Sequence, residues 1–215
     1  MPQGILILDR TSGDFVQAVF HEEVKTHQLI EAEQQWKPHR IAVTQRLLAA
    51  GVPKSEIARK SPQHVHWDWA LKSKCLEGDP LALRCYGIEL NGDWQGLAIV
   101  DLSMHVAHLE PDAGKPLVYV VFLESAPWNL RNMVDEPRYG RIGVRLIEAA
   151  IRLSMSEDFK GRVGLYALPQ AEGFYRKCGM VCVEGMAYRG MNLFELTRDA
   201  AAAFLEGGSN VNTNE

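Results

Sequence analysis

Two apolar runs flanking one amphipathic helix constrain this chain more than anything else in it. Leu117 to Glu124 (LVYVVFLE) and Gly161 to Leu168 (GRVGLYAL) are continuous β-forming stretches with the length of buried central strands. Between them, Arg145, Glu148 and Arg152 fall on one narrow helical face, while Leu146, Ile147, Ala150, Ile151 and Leu153 cover most of the rest. Such a helix needs a sheet to pack on. The order strand, helix, strand therefore predicts an α/β (α+β) domain.

Further signals surround this unit. Upstream, LRCYGIEL and WQGLAIVDLS are joined through Asn91-Gly92, a strong hairpin signal. Downstream, PQAEGFYRKCG is bounded by Pro169 and Gly179 as a short helix, with Ala171, Phe174 and Cys178 on one face and Tyr175 pointing elsewhere. A closing hairpin follows in MVCVEGMAYRGMNLFELT. Nearer the start, an apolar run, Ile5 to Leu8, precedes a stretch from Phe15 to Lys74 that reads as helical: Val16, Phe20, Val24 and Ile30 recur at roughly helical spacing, one helix stops at Gly51 and Pro53 opens another. The expected division is an N-terminal strand and helical segment, 1–74, packed on or partly within a core domain, 75–205, and a disordered tail, 206–215.

Charge and cysteine usage exclude several classes. With 23 basic and 27 acidic residues the net charge is -4, so a generic grip on nucleic acid, which rests on excess Lys and Arg, is disfavoured. The stretch LLAAGVPKSEIARKSPQHVHWDW faintly resembles a helix-turn-helix, but Trp67 and Trp69 read as core anchors there. No run approaches the eighteen or so apolar residues of a membrane span, and MPQGILILDR lacks a basic leader, so a cytoplasmic protein is expected. Cys75, Cys85, Cys178 and Cys182 form no paired CxxC set and read as reduced thiols; no metal is expected, and His64 and His66 read as structural.

The helix between the central strands opens with PRYGRIGVRLIEAA, Pro137 to Ala150. A helix start offers unpaired N–H groups and a partial positive charge, Gly140 and Gly143 permit close approach, and Arg138 and Arg141 add charge-assisted hydrogen bonds. That suits a diphosphate. The Gly-Lys-Ser/Thr ending of a P-loop and the full G-x-G-x-x-G of a dinucleotide fold are both missing.

The ordered set of strand, glycine-rich turn, helix, strand and AEGFYRKCGM resembles the GNAT superfamily of acetyl-CoA-dependent N-acetyltransferases. Arg138 and Gly143 match the ends of the family's Gln/Arg-x-x-Gly-x-Gly/Ala turn, with Arg141 at the inner glycine; Ala171, Phe174, Tyr175, Gly179 and Met180 match its second motif, with Leu168 where Asn is usual. The resemblance spans roughly Leu83 to Thr197. It implies a GNAT fold: a mixed, mostly antiparallel sheet, splayed at the central strands, flanked by helices and here carrying an N-terminal helical extension. It further implies acetyl-CoA as cosubstrate, held by the main chain of Val121, Phe122 and Leu123 along its pantetheine arm and by Arg138, Tyr139, Gly140, Arg141, Ile142, Gly143 and Val144 at its diphosphate, with Phe174 beside it. Arg141 either reaches the phosphates or crowds them.

On the same resemblance, Tyr175 is the acid that protonates the leaving thiolate. Glu124, at the end of the central strand, is either the base that takes the amine proton or a solvated strand end. The SAPWNLRNMVDEP loop is long for the family, and its Trp128 and Asn129 either line an acceptor pocket or anchor the loop as core. The acceptor is an amine on a small molecule or protein. A non-catalytic acyl-CoA sensor of the same fold is the alternative, and a homodimer is compatible with the sequence. His105 and His108 read as surface residues of a loop.

Overall fold

One β-sheet draws its strands from the N-terminal segment as well as from the rest of the described chain. The computed structural model describes residues 3–60, 63–103 and 105–207. Among them the strands are β1 (Gln3–Asp9), β2 (Phe15–His21), β3 (Leu83–Leu90), β4 (Asp93–Asp101), β5 (Val118–Ser125), β6 (Tyr139–Gly140), β7 (Val163–Ala167), β8 (Val181–Tyr188) and β9 (Met191–Leu196). They form one sheet in the order β6-β1-β2-β3-β4-β5-β7-β9-β8, antiparallel except for β5 against β7. The helices are α1 (Thr26–Ala49), α2 (Lys54–Lys60), α3 (Trp69–Gly78), α4 (Ile142–Ser156), α5 (Glu172–Lys177) and α6 (Arg198–Gly207). None of these helices is long and apolar enough to cross a membrane, and no group of three or more His, Cys, Asp or Glu among the described residues could hold a metal ion.

Both faces of the sheet are covered, which is why its central strands are apolar throughout rather than alternating. Along β4, Ala98 and Val100 join the core under α4 with Ile88, Val118, Ile147 and Phe194, whereas Leu97 and Ile99 join the core under α1 and α3 with Leu29, Trp36, Trp69 and Trp94. The Trp36 indole donates to the Trp94 carbonyl at 2.9 Å and fixes α1 on that face.

The helical reading of residues 15–21 is corrected: this stretch is β2. Val16 and Phe20 are four residues apart, a spacing that keeps two side chains on one face in a helix and in a strand alike. Ala18 between them is buried with Phe20, so the operative period is two. Residues 74 and 75, where the sequence was divided, both lie within α3. Of the tail expected at 206–215, Glu206 and Gly207 belong to α6, and the part from residue 208 lies outside the described residues.

One irregularity shapes the centre of the sheet. Opposite β4, Ile99 pairs with Phe122 but Val100 pairs with Val120, which leaves Val121 as an extra residue in β5. A bulge of this kind bends its strand and increases the twist. Accordingly β5 and β7 pair only at Val118↔Val163 and Tyr119↔Gly164, and beyond that point each follows its other neighbour.

Candidate active site

The parting of β5 from β7 opens a notch whose β5 wall is Val121, Phe122 and Leu123, all partly exposed. At its closed end the Tyr119 phenol meets the Tyr166 backbone amide, and burial pushes that phenol above its ordinary range. On the α1/α3 side, residues 63–68 lie across the notch. Gln63 and Gln170 exchange amide-to-side-chain hydrogen bonds at 3.1 and 3.0 Å, tying this segment to the turn after β7, and the Trp67 ring stands edge-on to Phe122 at 5.3 Å.

Glu124 ends that wall inside a buried polar network rather than in solvent. It is 3 % exposed; Arg40 Nη1 donates to its Oε1 at 2.9 Å and Trp69 Nε1 to its Oε2 at 2.6 Å. Arg40 also pairs with Glu33, whose carboxylate accepts from the Trp69 amide. Burial nevertheless pushes the Glu124 carboxyl up to about 7, against the opposing pull of Arg40 and the Trp69 N–H. His64 Nε2 sits 3.8 Å from Glu124 Oε1, buried and without a hydrogen-bond partner, and burial beside Arg40 lowers the ring to about 4, so the imidazole is neutral at physiological pH. The solvated reading of Glu124 is thereby corrected. Nothing in the sequence joined Arg40, Glu33 or His64, the last read there as structural, to Glu124, since they lie 60 or more residues from it and only the packing of α1 and of the segment leading into α3 on β5 brings them together.

The glycine-marked turn enters α4 through Arg141, which takes a left-handed conformation (φ 68°) as N-cap and supplies no side-chain cap. This is the backbone region that a glycine occupies without cost, which accounts for glycine at the equivalent position of the family pattern. The first turn of α4 holds no acidic residue to answer the positive end of the helix dipole. Arg141 itself is buried, with its guanidinium 5.5 Å from the Phe15 ring on β2, so it packs against the N-terminal hairpin. A cation not foreseen in the sequence comes from that hairpin: the Arg10 amide donates to the Arg138 carbonyl at 2.8 Å, and its guanidinium lies against Gly140. A side chain at Gly140 would meet it at 3.1 Å. Because Arg141→Ala keeps the left-handed strain and Arg141→Gly relieves it, the glycine variant should be the more stable of the two by about 1 kcal/mol. Urea unfolding of both would show this; equal midpoints would mean that the turn relaxes to another conformation when the arginine is removed.

The remaining expected residues divide between the notch and the core. Tyr175, placed off the buried face by the sequence, is 7 % exposed and packs with Cys178, the Phe174 ring at 5.1 Å and the Phe194 ring at 6.3 Å; Phe174 is the partly exposed member of the pair. α5 is only one and a half turns long and follows a tighter turn at Pro169–Ala171, which rotates the buried stripe onto Tyr175. Trp128 and Asn129 are core residues anchoring their loop: the indole and the Asn129 amide both donate to Gln95 Oε1, at 3.0 and 3.1 Å, and Asn129 Oδ1 accepts from the Tyr139 amide at 3.0 Å. Asn129 thus positions the turn before α4. His108 is a surface residue as expected and is also held by buried Glu195 through its amide and its ring at 2.9 and 2.6 Å, while His105 stacks on Tyr119.

A mixed sheet whose two parallel central strands splay after a bulge, with a glycine-marked helix connecting them and a closing hairpin swapped in order, decides the architecture. The fold is the GNAT fold. No protein-family model matches the sequence, and no curated protein matches it at a significant level. Among solved structures, an uncharacterized protein from Bacillus halodurans is similar at 10% identity over 96% of this chain and 95% of its own, with a TM-score of 0.50. Mycobacterium smegmatis RimJ in complex with CoA-disulfide is similar at 11% identity, 95% and 94% coverage and a TM-score of 0.49. The PaiA N-acetyltransferase from Thermoplasma acidophilum in complex with coenzyme A is similar at 13% identity, 84% and 98% coverage and a TM-score of 0.48. At these identities the likeness is one of fold.

Proposed function

We propose that the protein is an acetyl-CoA-dependent N-acetyltransferase that transfers the acetyl group directly to a primary amine. The observation that carries this reading is the notch: past Val118↔Val163 and Tyr119↔Gly164, the facing backbones of β5 and β7 part in the middle of an otherwise continuous sheet. An extended amide-bearing chain, such as the pantetheine arm, can pair with such backbone as an added strand would. On this reading the main chain of Val121, Phe122 and Leu123 would receive it. The α4 start supports the reading independently, because a helix N-terminus with no carboxylate in its first turn and with the Arg10 guanidinium against Gly140 beside it favours an anion. The amides of Ile142, Gly143 and Val144 would hold the diphosphate.

Bound acetyl-CoA supplies an activated thioester. The protein's own part is to accept the amine proton and to return one to the leaving sulfur. Glu124, with its carboxyl near 7, is matched to proton transfer at neutral pH, and Arg40 and Trp69 fix its orientation. His64, neutral and with its buried Nε2 unpaired 3.8 Å from Glu124 Oε1, would join that proton path as a hydrogen-bond acceptor. Tyr175 is the group assigned to the thiolate.

Calorimetric titration with CoA tests the cofactor assignment. Wild type should bind, and Gly143→Glu, which sets a side chain and a negative charge against the phosphates, should weaken binding by roughly a hundredfold or more while the chain remains folded. Unchanged affinity in the folded variant would remove the diphosphate from this turn.

A further inference from the structure

Every lysine with a described side chain is exposed except Lys72. Lys72 lies in the first turns of α3, and its Nζ sits over two rings at once, 3.8 Å from the centroid of Phe122 and 4.4 Å from that of Trp67. Phe122 is the residue that follows the bulge on the notch wall. Trp67 belongs to the segment that lies across the notch. The Lys72 amine is therefore held against the same residue whose main chain is assigned to the thioester arm.

The position differs from that of an ordinary surface lysine in two further ways. Burial lowers the Lys72 ammonium from its ordinary value, with Arg40 acting in the same direction and Glu124, Cys75 and Asp68 opposing it, so the free amine is more accessible than at a solvated lysine. The two rings also fix the amine in place: cation-π contact with two aromatic faces limits the rotamers that a four-carbon stem would otherwise sample.

Building on the acetyltransferase reading, we infer that Lys72 is an internal acceptor, a self-acetylation site loaded from an acyl-CoA thioester in the notch. In this step the neutral Lys72 Nζ attacks the thioester carbonyl carbon. The C–N bond forms, the C–S bond breaks with its electron pair leaving on sulfur, and the proton shed by nitrogen passes to the thiolate. The products are N-acetyl-lysine and the free CoA thiol. Acetylation abolishes the charge over Phe122 and Trp67, and with it the cation-π contact.

The test uses the full chain incubated with acetyl-CoA and no added amine, read by intact mass and peptide mapping, with CoA affinity measured in parallel by calorimetry. Lys72 should gain one acetyl group roughly tenfold or more faster than exposed Lys74 on the same helix, as an amine held near the reacting carbon requires. The labelling should be suppressed by excess desulfo-CoA and lost when the chain is unfolded in urea. Lys72→Arg, which keeps the cation over the rings, should fold normally and show only the slow labelling of exposed lysines. Lys72 labelling no faster than that of Lys74, or insensitive to desulfo-CoA, overturns the inference. If CoA binds and Lys72 stays unmodified, the inference falls and the cofactor assignment stands; if CoA does not bind, both fall.

Discussion

Arg40→Met should destabilise the protein by about 3–5 kcal/mol, the range for removing one partner of a buried ion pair. Methionine preserves much of the stem volume, so the loss reports charge more than cavity. Arg40 is 3 % exposed and holds Glu33 and Glu124 together. Without it two carboxylates face one another with only Trp69 N–H donors between them. The deficit should depend on pH, and its sign follows from linkage. Burial already raises Glu124 from 4.5 to about 7, and loss of Arg40, which pulls it down, raises it further. A carboxyl whose folded value lies above its unfolded value stabilises below the unfolded value, and that contribution is lost as pH rises through the folded one. The difference in Tm between Arg40→Met and wild type should therefore be small near pH 4.5 and large at pH 8. Adding Glu124→Gln to Arg40→Met should recover part of the loss at pH 8. A pH-independent difference would mean that the arginine acts through packing alone.

The second large effect lies in chemistry. Tyr175→Phe should leave CoA affinity and folding intact and lower kcat by roughly ten- to ten-thousandfold, the range for loss of a positioned acid. The substitution is conservative for the core, since the ring that packs against Phe174, Phe194 and Cys178 is retained and only the hydroxyl is removed. Activity against an amine panel supplies kcat, and calorimetry the CoA affinity. Normal kcat in the variant would assign Tyr175 to packing, with another group or water protonating the thiolate. A fall in Tm with unchanged kcat would identify the hydroxyl as a structural hydrogen-bonding group.

The sequence by itself determined the central unit: strand, glycine-marked turn, amphipathic helix and strand, with hairpins on either side. Each is a local pattern, readable because side-chain period and turn chemistry are properties of neighbours in the chain. Arg141 shows the limit of that reading. Its identity was visible as a departure from a glycine pattern, but its left-handed backbone and its place over Phe15 were not, because they depend on a hairpin more than 120 residues earlier.

Residues 15–21 fail for a different reason, since a four-residue spacing satisfies both periodicities and only the neighbouring strands β1 and β3 select the extended one. Glu124 and Tyr175 are both buried, although the sequence allowed a solvated carboxylate and turned the tyrosine off the buried face. Whether a carboxylate at a strand end is solvated or sealed is decided by what packs over it, here Arg40 on α1 and Trp69 at the start of α3. The notch is likewise tertiary. Val121 is an ordinary residue in an apolar run, and it becomes a bulge only when β4 fixes the register on both sides of it. Short-range pattern thus set which elements form. Long-range pairing and burial decided which carboxylate titrates near neutrality, which lysine meets the aromatic rings, and where the sheet opens.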